Sequence, residues 1–458
     1  MQLNQTIFRE YDIRGVVDRD LSVDFARLLG RAFAIYAKGH GKNNLAIGYD
    51  CRHSSEPYAK AFSEGIASEG LDCCLTGMGP TPQLYYSLYK RNYGGGVQIT
   101  GSHNPPDMNG FKLCLGTDSV YGEEIQKIYH IAADIINKPA SASRPGEISR
   151  NDIRKEYTDE LIANCCPHMG KRKLKVVVDA GNGVGGLVGP AVLRAMGLEV
   201  IEIYCEPDGS FPNHHPDPTV MEYIVDLRKK VKETGADFGI GFDGDADRMG
   251  IVDENSDVIF ADMLLAIMAR DVLREVPGAT IIGDVKCSSR LFSDIEAHGG
   301  KAIMWKTGHS LMKAKLKESG GALAGELSGH IAYKHRFFGF DDAIYSACRF
   351  VELVSRSSLP VSQLTADLPK MVATPEIRID CPEEHKFLIA EKAKTAFPGY
   401  KVNPIDGVRV EFEHGWGLVR ASNTQPILVL RFEAESEALL TEYRNLVIGR
   451  IEDIKKSL

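Results

Sequence analysis

The ten cysteines of this 458-residue chain form no C-x-x-C pair. Two pairs are adjacent, Cys73-Cys74 and Cys165-Cys166, a spacing that suits neither a zinc knuckle nor a disulfide framework. No apolar run of about 18 residues occurs, so no membrane span is expected. The opening Met-Gln-Leu-Asn-Gln-Thr has no charged n-region and no apolar h-region, which argues against a signal peptide. A reducing cytoplasm with free thiols is the simplest setting. Positive charge is also in short supply: 54 Lys and Arg stand against 62 Asp and Glu, a net charge of −8. Such a chain is a poor partner for nucleic acid or an anionic membrane. Any phosphate site must be a local basic cluster set against the overall field. There is no low-complexity tract and no clear internal repeat.

What is present is a globular composition, 43% hydrophobic and 25% charged, with enough apolar residues for several cores. At about 150 residues per domain the length suggests three domains, or four small ones. Residues 22–39 read as an amphipathic helix, with Ser22 placed to cap it and Gly39 to end it. Strands at 44–49, 71–75 and 96–100 alternate with a helix at 56–69, which argues for a parallel sheet covered on both faces. The Pro-, Ala- and Ser-rich stretch 138–149 reads as a linker. A second block has strands at 174–178, 199–204 and 237–242 and helices at 185–196 and 219–234. A third has helices at 261–275, 289–298, 309–319 and 341–356 and strands at 280–285 and 301–305. After Pro360, Pro369 and Pro375 the character changes. Strands at 376–380, 408–413 and 427–433 mix with helices at 384–396 and 437–455 in α+β order. The expected domains are 1–146, 147–255, 256–368 and 369–458, three α/β and one α+β.

Five polar constellations carry the chemistry. Thr100-Gly101-Ser102-His103-Asn104-Pro105 follows a strand, and strand ends of open α/β sheets are where ligands bind. Gly101 lets the backbone turn, and Pro105 and Pro106 stiffen the exit, so the Ser102 hydroxyl is held beside an imidazole. The pattern is not G-x-S-x-G, so a hydrolase elbow is unsupported. A turn rich in Ser, Asn and Pro is the bland reading. Asp243, Asp245 and Asp247, followed by Arg248, come after the strand 237–242. In an extended segment three carboxylates at i, i+2 and i+4 point one way. They repel unless a cation neutralises them, which supports an oxygen-ligated divalent ion, Mg²⁺ before others. An EF-hand loop is excluded because Arg248 stands where that loop needs Gly and the flanks read as strands.

Gly181, Gly183 and Gly186 satisfy G-x-G-x-x-G after a strand, with acids at Glu202 and Glu206, so a dinucleotide fold is a rival to a plain tight turn. In Gly325-Glu326-Leu327-Ser328-Gly329-His330 a carboxylate and a hydroxyl can grip paired sugar hydroxyls. Arg420, Ser422, Asn423 and Thr424 join a guanidinium fork to small hydrogen-bonding groups, which suits a tetrahedral phosphate. Lys286 and Lys306-Thr307-Gly308-His309 are further basic candidates.

As a set, these motifs resemble the α-D-phosphohexomutase family, and most its bacterial phosphomannomutase/phosphoglucomutase branch. The resemblance runs from Phe8-Arg-Glu-Tyr11-Asp-Ile-Arg14-Gly through Ser102–Pro105, Asp243–Arg248 and Gly325–His330 to Arg420–Thr424, across nearly the whole length. It implies three similar α/β domains with mixed or parallel sheets and a C-terminal α+β domain around a central cleft. It implies that Ser102 is the phosphoserine, and that Asp243, Asp245 and Asp247 bind Mg²⁺ together with a phosphate oxygen of Ser102. Arg248, Glu326 and Ser328 would face the sugar, with Gly308, His309 and His330 among the substrate contacts. Arg420, Ser422, Asn423 and Thr424 would clamp the non-reacting phosphate, while Tyr11, Arg14, Lys112, Lys286 and His309 match cleft positions. The implied reaction interconverts hexose 1-phosphate and hexose 6-phosphate, of mannose and glucose, through glucose 1,6-bisphosphate or mannose 1,6-bisphosphate. Lys112, His103 and His309 are candidate proton acceptors. A monomer or weak oligomer is expected. Phosphoglucosamine mutase is the nearby alternative, disfavoured because Leu327 has no polar side chain. A nicotinamide dehydrogenase and a non-catalytic sugar-phosphate binder are the rivals from other classes.

Overall fold

The stretch Asn44–Tyr49 is too apolar to offer a face to water, so it belongs inside a sheet covered on both sides. In the computed structural model, which describes residues 3–422 and 426–458, it does lie there. It pairs in parallel with Asp72–Met78 on one side and Gly95–Ile99 on the other. Met108–Leu115 and Ile13–Val16 continue the sheet in antiparallel fashion, and Ile148–Arg150 closes its other edge. Ser22 accepts a hydrogen bond from the Phe25 N–H at 3.1 Å and starts the helix Val23–Gly39. That helix crosses Ser55–Ser68 over a core that includes Phe33, Phe62 and Phe111.

The second sheet runs Val258–Ile259, Met249–Asp253, Phe238–Phe242, Lys175–Asp179, Glu199–Ile203. The third runs Lys301–Trp305, Thr280–Asp284, Leu323–Gly325, Ile331–Tyr333. Both are parallel in the middle and antiparallel at one edge. The fourth is wholly antiparallel and carries the helices Glu383–Ala393 and Glu437–Lys456. This is the expected class, three α/β domains and one α+β domain. The second and third domains share one continuous apolar core, threaded by the buried helix Ala343–Arg356. The fourth domain keeps its own core and meets the third through a small cluster of Val285, Trp416 and Leu418.

Some element limits differ from the sequence reading. The last two residues of the supposed linker, 148–149, belong to the strand Ile148–Arg150 of the first sheet, and Val258–Ile259 belongs to the second sheet although it follows 255. Short edge strands carry little pattern of their own. The helix expected over 219–234 starts only at Val225, because Asp217 turns the preceding chain by accepting from the Thr219 N–H and hydroxyl. The helix expected over 185–196 is a 3-10 turn, Val184–Leu187, followed by Gly189–Ala195, since Pro190 has no N–H to continue a helix through the glycines.

Two packing features give measurable consequences. A Cβ at Gly30 would lie 2.2 Å from the Phe62 carbonyl oxygen, so the first two helices meet backbone to backbone. Gly30→Ala is expected to lower stability by about 1–3 kcal/mol in urea denaturation, despite the better helix propensity of Ala. Stability equal to the parent's would mean that this contact has slack. Asp342 caps Ala343–Arg356 by accepting from the Tyr345 N–H at 2.8 Å, and it also accepts from the Tyr157 hydroxyl at 2.7 Å. Its burial pushes its pKa up to about 7. The unfolded chain ionises this group near pH 4, so the folded state binds the extra proton and its stability falls as pH rises from about 4 to 7. Asp342→Asn is expected to flatten that slope in thermal melts. An unchanged slope would assign the loss to other groups.

Candidate active site

The loop after Gly95–Ile99 sets Ser102 at φ 51°, the left-handed region that costs a serine roughly 1–3 kcal/mol unless its surroundings hold it there. They do. The Ser102 N–H donates to Thr100 Oγ1 at 2.8 Å, and the hydroxyl donates to Asp243 Oδ2 at 2.9 Å. His103 Nδ1 lies 3.0 Å from the same hydroxyl. Arg14 donates to the Gly101 carbonyl at 3.3 Å and is fixed by Asp12 at 2.6 Å.

The carboxylates come from the loop after Phe238–Phe242. That segment is a turn, not the extended run expected from the spacing: the Ala246 N–H donates to the Asp243 carbonyl, and Ala246 itself has φ 55°. Asp243 Oδ1 accepts from the N–H groups of Asp247 and Arg248 at 3.0 and 3.1 Å. The side chains of Asp243, Asp245 and Asp247 converge because the turn folds them inward, and one oxygen from each lies within 4.8 Å of the others. Gly244 is needed there, since a Cβ would lie 2.4 Å from the Ser102 carbonyl oxygen.

All three carboxylates are buried. Burial, then the neighbouring Asp247 and Asp245, pushes the Asp243 carboxyl well above the usual carboxylate range. Burial also acts to raise Asp247, but Lys112 and His330 outweigh it and hold that carboxyl well below the usual range. The Lys112 ammonium stands 3.2 Å from Asp245 Oδ2 and closes on Asp247 Oδ2. Asp245 Oδ1 is buried without a hydrogen-bond partner, an oxygen left open toward a cation. Converging hard oxygens, one of them unpartnered, fit a divalent ion. The Thr81 hydroxyl donates to Asp245 Oδ2, and its N–H donates to the Asp245 carbonyl at 2.9 Å.

The sugar-loop candidates sit against this cluster. His330 Nε2 lies 3.2 Å from Asp247 Oδ1 and 3.3 Å from Arg248 Nε, and its Nδ1 lies 3.3 Å from Glu326 and 3.1 Å from Ser328 Oγ. Glu326 accepts from the Gly308 N–H at 2.6 Å, and the Tyr11 hydroxyl donates to the Thr307 carbonyl at 2.9 Å. The His309 ring stacks on His330 at 5.4 Å, with its Nδ1 3.3 Å from Asp341. Burial lowers the His309 pKa below the ordinary imidazole value. Lys286 is held 3.6 Å from Glu376, and Arg420 donates to Asp406 at 3.0 Å. Asp406 also accepts from the Thr307 N–H, which ties the fourth domain to the third. Ser422 is buried, and Asn423 and Thr424 lie outside the described residues.

The glycine-rich turn does not offer a pyrophosphate cradle. Its amides are spent on the protein: Gly181 on Asp179, Asn182 on Tyr204, Gly183 on Ala180 and Val184 on Gly244. The turn braces the carboxylate loop. Thr81, Asp341 and Asp406 contribute to the site without standing in any recognisable motif. Thr81 had the one usable signal, a hydroxyl directly before a proline at a helix start.

A serine beside converging carboxylates, with cationic side chains gathered from all four domains, defines a phosphoryl-transfer enzyme of the sugar-phosphate class. Models of the phosphoglucomutase/phosphomannomutase family match in order: alpha/beta/alpha domains I, II and III over residues 5–138, 155–256 and 260–372, and the C-terminal domain over 376–449. The chain belongs to this family. It is 45% identical over 446 residues to a phosphomannomutase/phosphoglucomutase of Pseudomonas putida, covering 97% of this chain and 95% of that one. It is 43% identical over 443 residues to a phosphoglucomutase of Neisseria meningitidis, covering 96% and 95%. A crystal structure of a phosphoglucomutase/phosphomannomutase family protein from Burkholderia thailandensis superposes with a TM-score of 0.92 at 39% identity, covering 99% of this chain and 98% of that one.

The charge balance of the cluster can be tested directly. Lys112→Met leaves the carboxylates without their ammonium partner and is expected to cost about 3–5 kcal/mol in chelator-treated protein. Millimolar Mg²⁺ should recover much of that loss in a thermal melt. Equal destabilisation with and without the ion would mean that the three carboxylates do not bind it.

Proposed function

We propose that the enzyme interconverts hexose 1-phosphate and hexose 6-phosphate, of both mannose and glucose, by way of a phosphoserine at Ser102 and a hexose 1,6-bisphosphate. The observation that carries this reading is the Ser102 hydroxyl, 2.9 Å from Asp243 in a converging set of three carboxylates. In the first half, O6 of the sugar bonds to phosphorus as the bond to Ser102 Oγ breaks, O6 gives up its proton and Ser102 Oγ gains one. In the second half, Ser102 Oγ bonds to phosphorus as the bond to O1 of the bisphosphate breaks, Ser102 Oγ gives up its proton and O1 receives one. Lys112, His103 and His309 are the candidate groups for exchanging these protons. Asp243, Asp245 and Asp247, with a phosphate oxygen on Ser102, would hold Mg²⁺, which supplies charge neutralisation for phosphoryl transfer.

This chain's own side chains do the positioning. Arg14 reaches the loop of the nucleophile, and Arg248 lies between the carboxylates and the sugar loop. Glu326 and Ser328 bind the sugar hydroxyls, joined by Gly308 and His330. Arg420 and Ser422, with Asn423 and Thr424, clamp the phosphate that does not react, and Tyr11, Lys286 and His309 line the path between. Glu326 and Ser328 are suited to O3 and O4, which are equatorial in both sugars, so they do not separate mannose from glucose. Leu327 presents no polar group to a sugar amine, which supports mannose and glucose over glucosamine. A monomer or weak oligomer is the expected assembly. The ten cysteines are free thiols, which supports a cytoplasmic setting, and no described helix is long and apolar enough to cross a membrane.

Coupled assays of mannose 1-phosphate and glucose 1-phosphate, with Mg²⁺ and catalytic glucose 1,6-bisphosphate, should give comparable turnover. Ser102→Ala and Asp245→Asn should each lower kcat by at least about a thousandfold, and a chelator should do the same. Turnover of glucosamine 1-phosphate alone would overturn the sugar assignment. No turnover of any of the three would favour a sugar-phosphate binder.

A further inference from the structure

The serine loop is gripped from behind by a side chain that touches neither the carboxylates nor the sugar loop. Arg52 follows the central strand Asn44–Tyr49, neighbour of the strand that ends at the serine loop. Its guanidinium is fully buried, and it faces main-chain carbonyls of the loop rather than a substrate. Nη2 donates to the carbonyls of Ser102 and Asn104 at 2.8 and 2.6 Å. Nη1 donates to those of Pro105 and Met108 at 2.6 and 3.0 Å. Four carbonyls within seven residues are thereby aimed at one planar cation. Asp50 completes the frame: it lies 3.3 Å from Arg52 Nε and accepts from the Thr100 hydroxyl at 2.7 Å, and Thr100 Oγ1 in turn accepts from the Ser102 N–H at 2.8 Å. The face of the guanidinium is covered by the Phe211 ring, 4.8 Å away and contributed by the second domain.

We propose that Arg52 is a positioning residue for the phosphoryl-transfer step: it holds Ser102 in its left-handed conformation and, through Phe211, ties the nucleophile loop to the domain that supplies the carboxylates. The proposal rests on the mutase reading above. The physical case is one of geometry. A left-handed serine returns to ordinary backbone angles unless its carbonyl and N–H are both fixed, and these contacts fix both. Only a planar guanidinium can serve four carbonyls at once. An ammonium has three donors and no fork. Arg52 has no route to the sugar, so its loss should change the rate of transfer and spare substrate binding.

The test compares parent, Arg52→Lys, Arg52→Ala and Phe211→Leu, each checked for folding by circular dichroism. Steady-state turnover of glucose 1-phosphate is measured, together with the rate at which glucose 1,6-bisphosphate phosphorylates Ser102, read by intact mass. Folded Arg52→Lys is expected to lose about a hundredfold in kcat, with KM within about threefold and Ser102 phosphorylation slowed in parallel. Millimolar guanidinium should restore Arg52→Ala at least about tenfold, since it refills the vacated fork. A folded Arg52→Lys with kcat within about threefold of the parent would overturn the proposal, as would a fall carried by KM alone. If neither Arg52 variant folds, Phe211→Leu decides: a loss of about three- to tenfold in kcat at unchanged KM supports the proposal, and parent-like kcat overturns it. A parent that fails to turn over would sink the mutase reading itself, an outcome distinct from parent-like variants.

Discussion

Three carboxylates confined within a few ångströms, out of contact with water, set the terms for everything around them. Like charges this close cannot all remain ionised without compensation. The fold meets the demand in two ways. It lets the Asp243 carboxyl rise well above its ordinary range, and it brings Lys112 from the first sheet and His330 from the third domain against Asp247. The cluster therefore draws three domains to one point. The Ser102 hydroxyl, donating to Asp243, is part of the same network, so charge compensation and the placement of that hydroxyl share one cause.

Sheet topology decides which residues can take part. The loops bearing Arg52, Ser102, Asp243, Lys286 and Glu326 all follow the C-terminal ends of strands that lie in the parallel parts of their sheets. Such ends are where open α/β sheets present ligands. Domains two and three are fused by one apolar core, so the carboxylates and the loop bearing Glu326 sit on a common rigid support. The fourth domain is joined differently. Arg409 and Arg431 donate to the carbonyls of Val285, Cys287 and Lys286, and Arg409 stacks 3.8 Å over Trp416. Polar ties of this kind hold a domain in place with far less buried apolar surface than a shared core.

The loops that carry chemistry were legible in the sequence because each breaks a local rule. Asp243, Asp245 and Asp247 crowd like charges directly after an apolar strand, and Ser102 sits among turn-formers at a strand end. Ser22 was legible as a cap because capping is a local interaction. What escaped depends on long-range contact. Lys112 is reached only through the family resemblance, since it lies mid-strand in Met108–Leu115 and its contact with the carboxylates has no local signal. Thr81 and Asp50 are ordinary residues whose partners lie 164 and 50 positions away. The mutual geometry of the three carboxylates was misjudged for a related reason: spacing alone cannot tell a strand from a turn, and the turn here depends on Ala246 adopting a positive φ.

An acidic protein that handles dianionic substrates must build its attraction locally. The net charge of −8 is spread over a large surface, and exposed charges beyond a Debye length of roughly 8–10 Å are screened by salt. Buried cations are screened far less. Arg14, Lys112, Lys286 and Arg420 are all largely withdrawn from water, and each is held by a carboxylate of its own: Asp12, Asp247, Glu376 and Asp406. The attraction within each pair offsets part of the desolvation penalty that both charges incur on burial, and it fixes the direction in which the remaining donors point. The same pairing keeps the site from becoming a featureless sink for anions. A phosphate gains only where its oxygens meet donors that the carboxylates leave over, so selectivity comes from geometry and not from net charge.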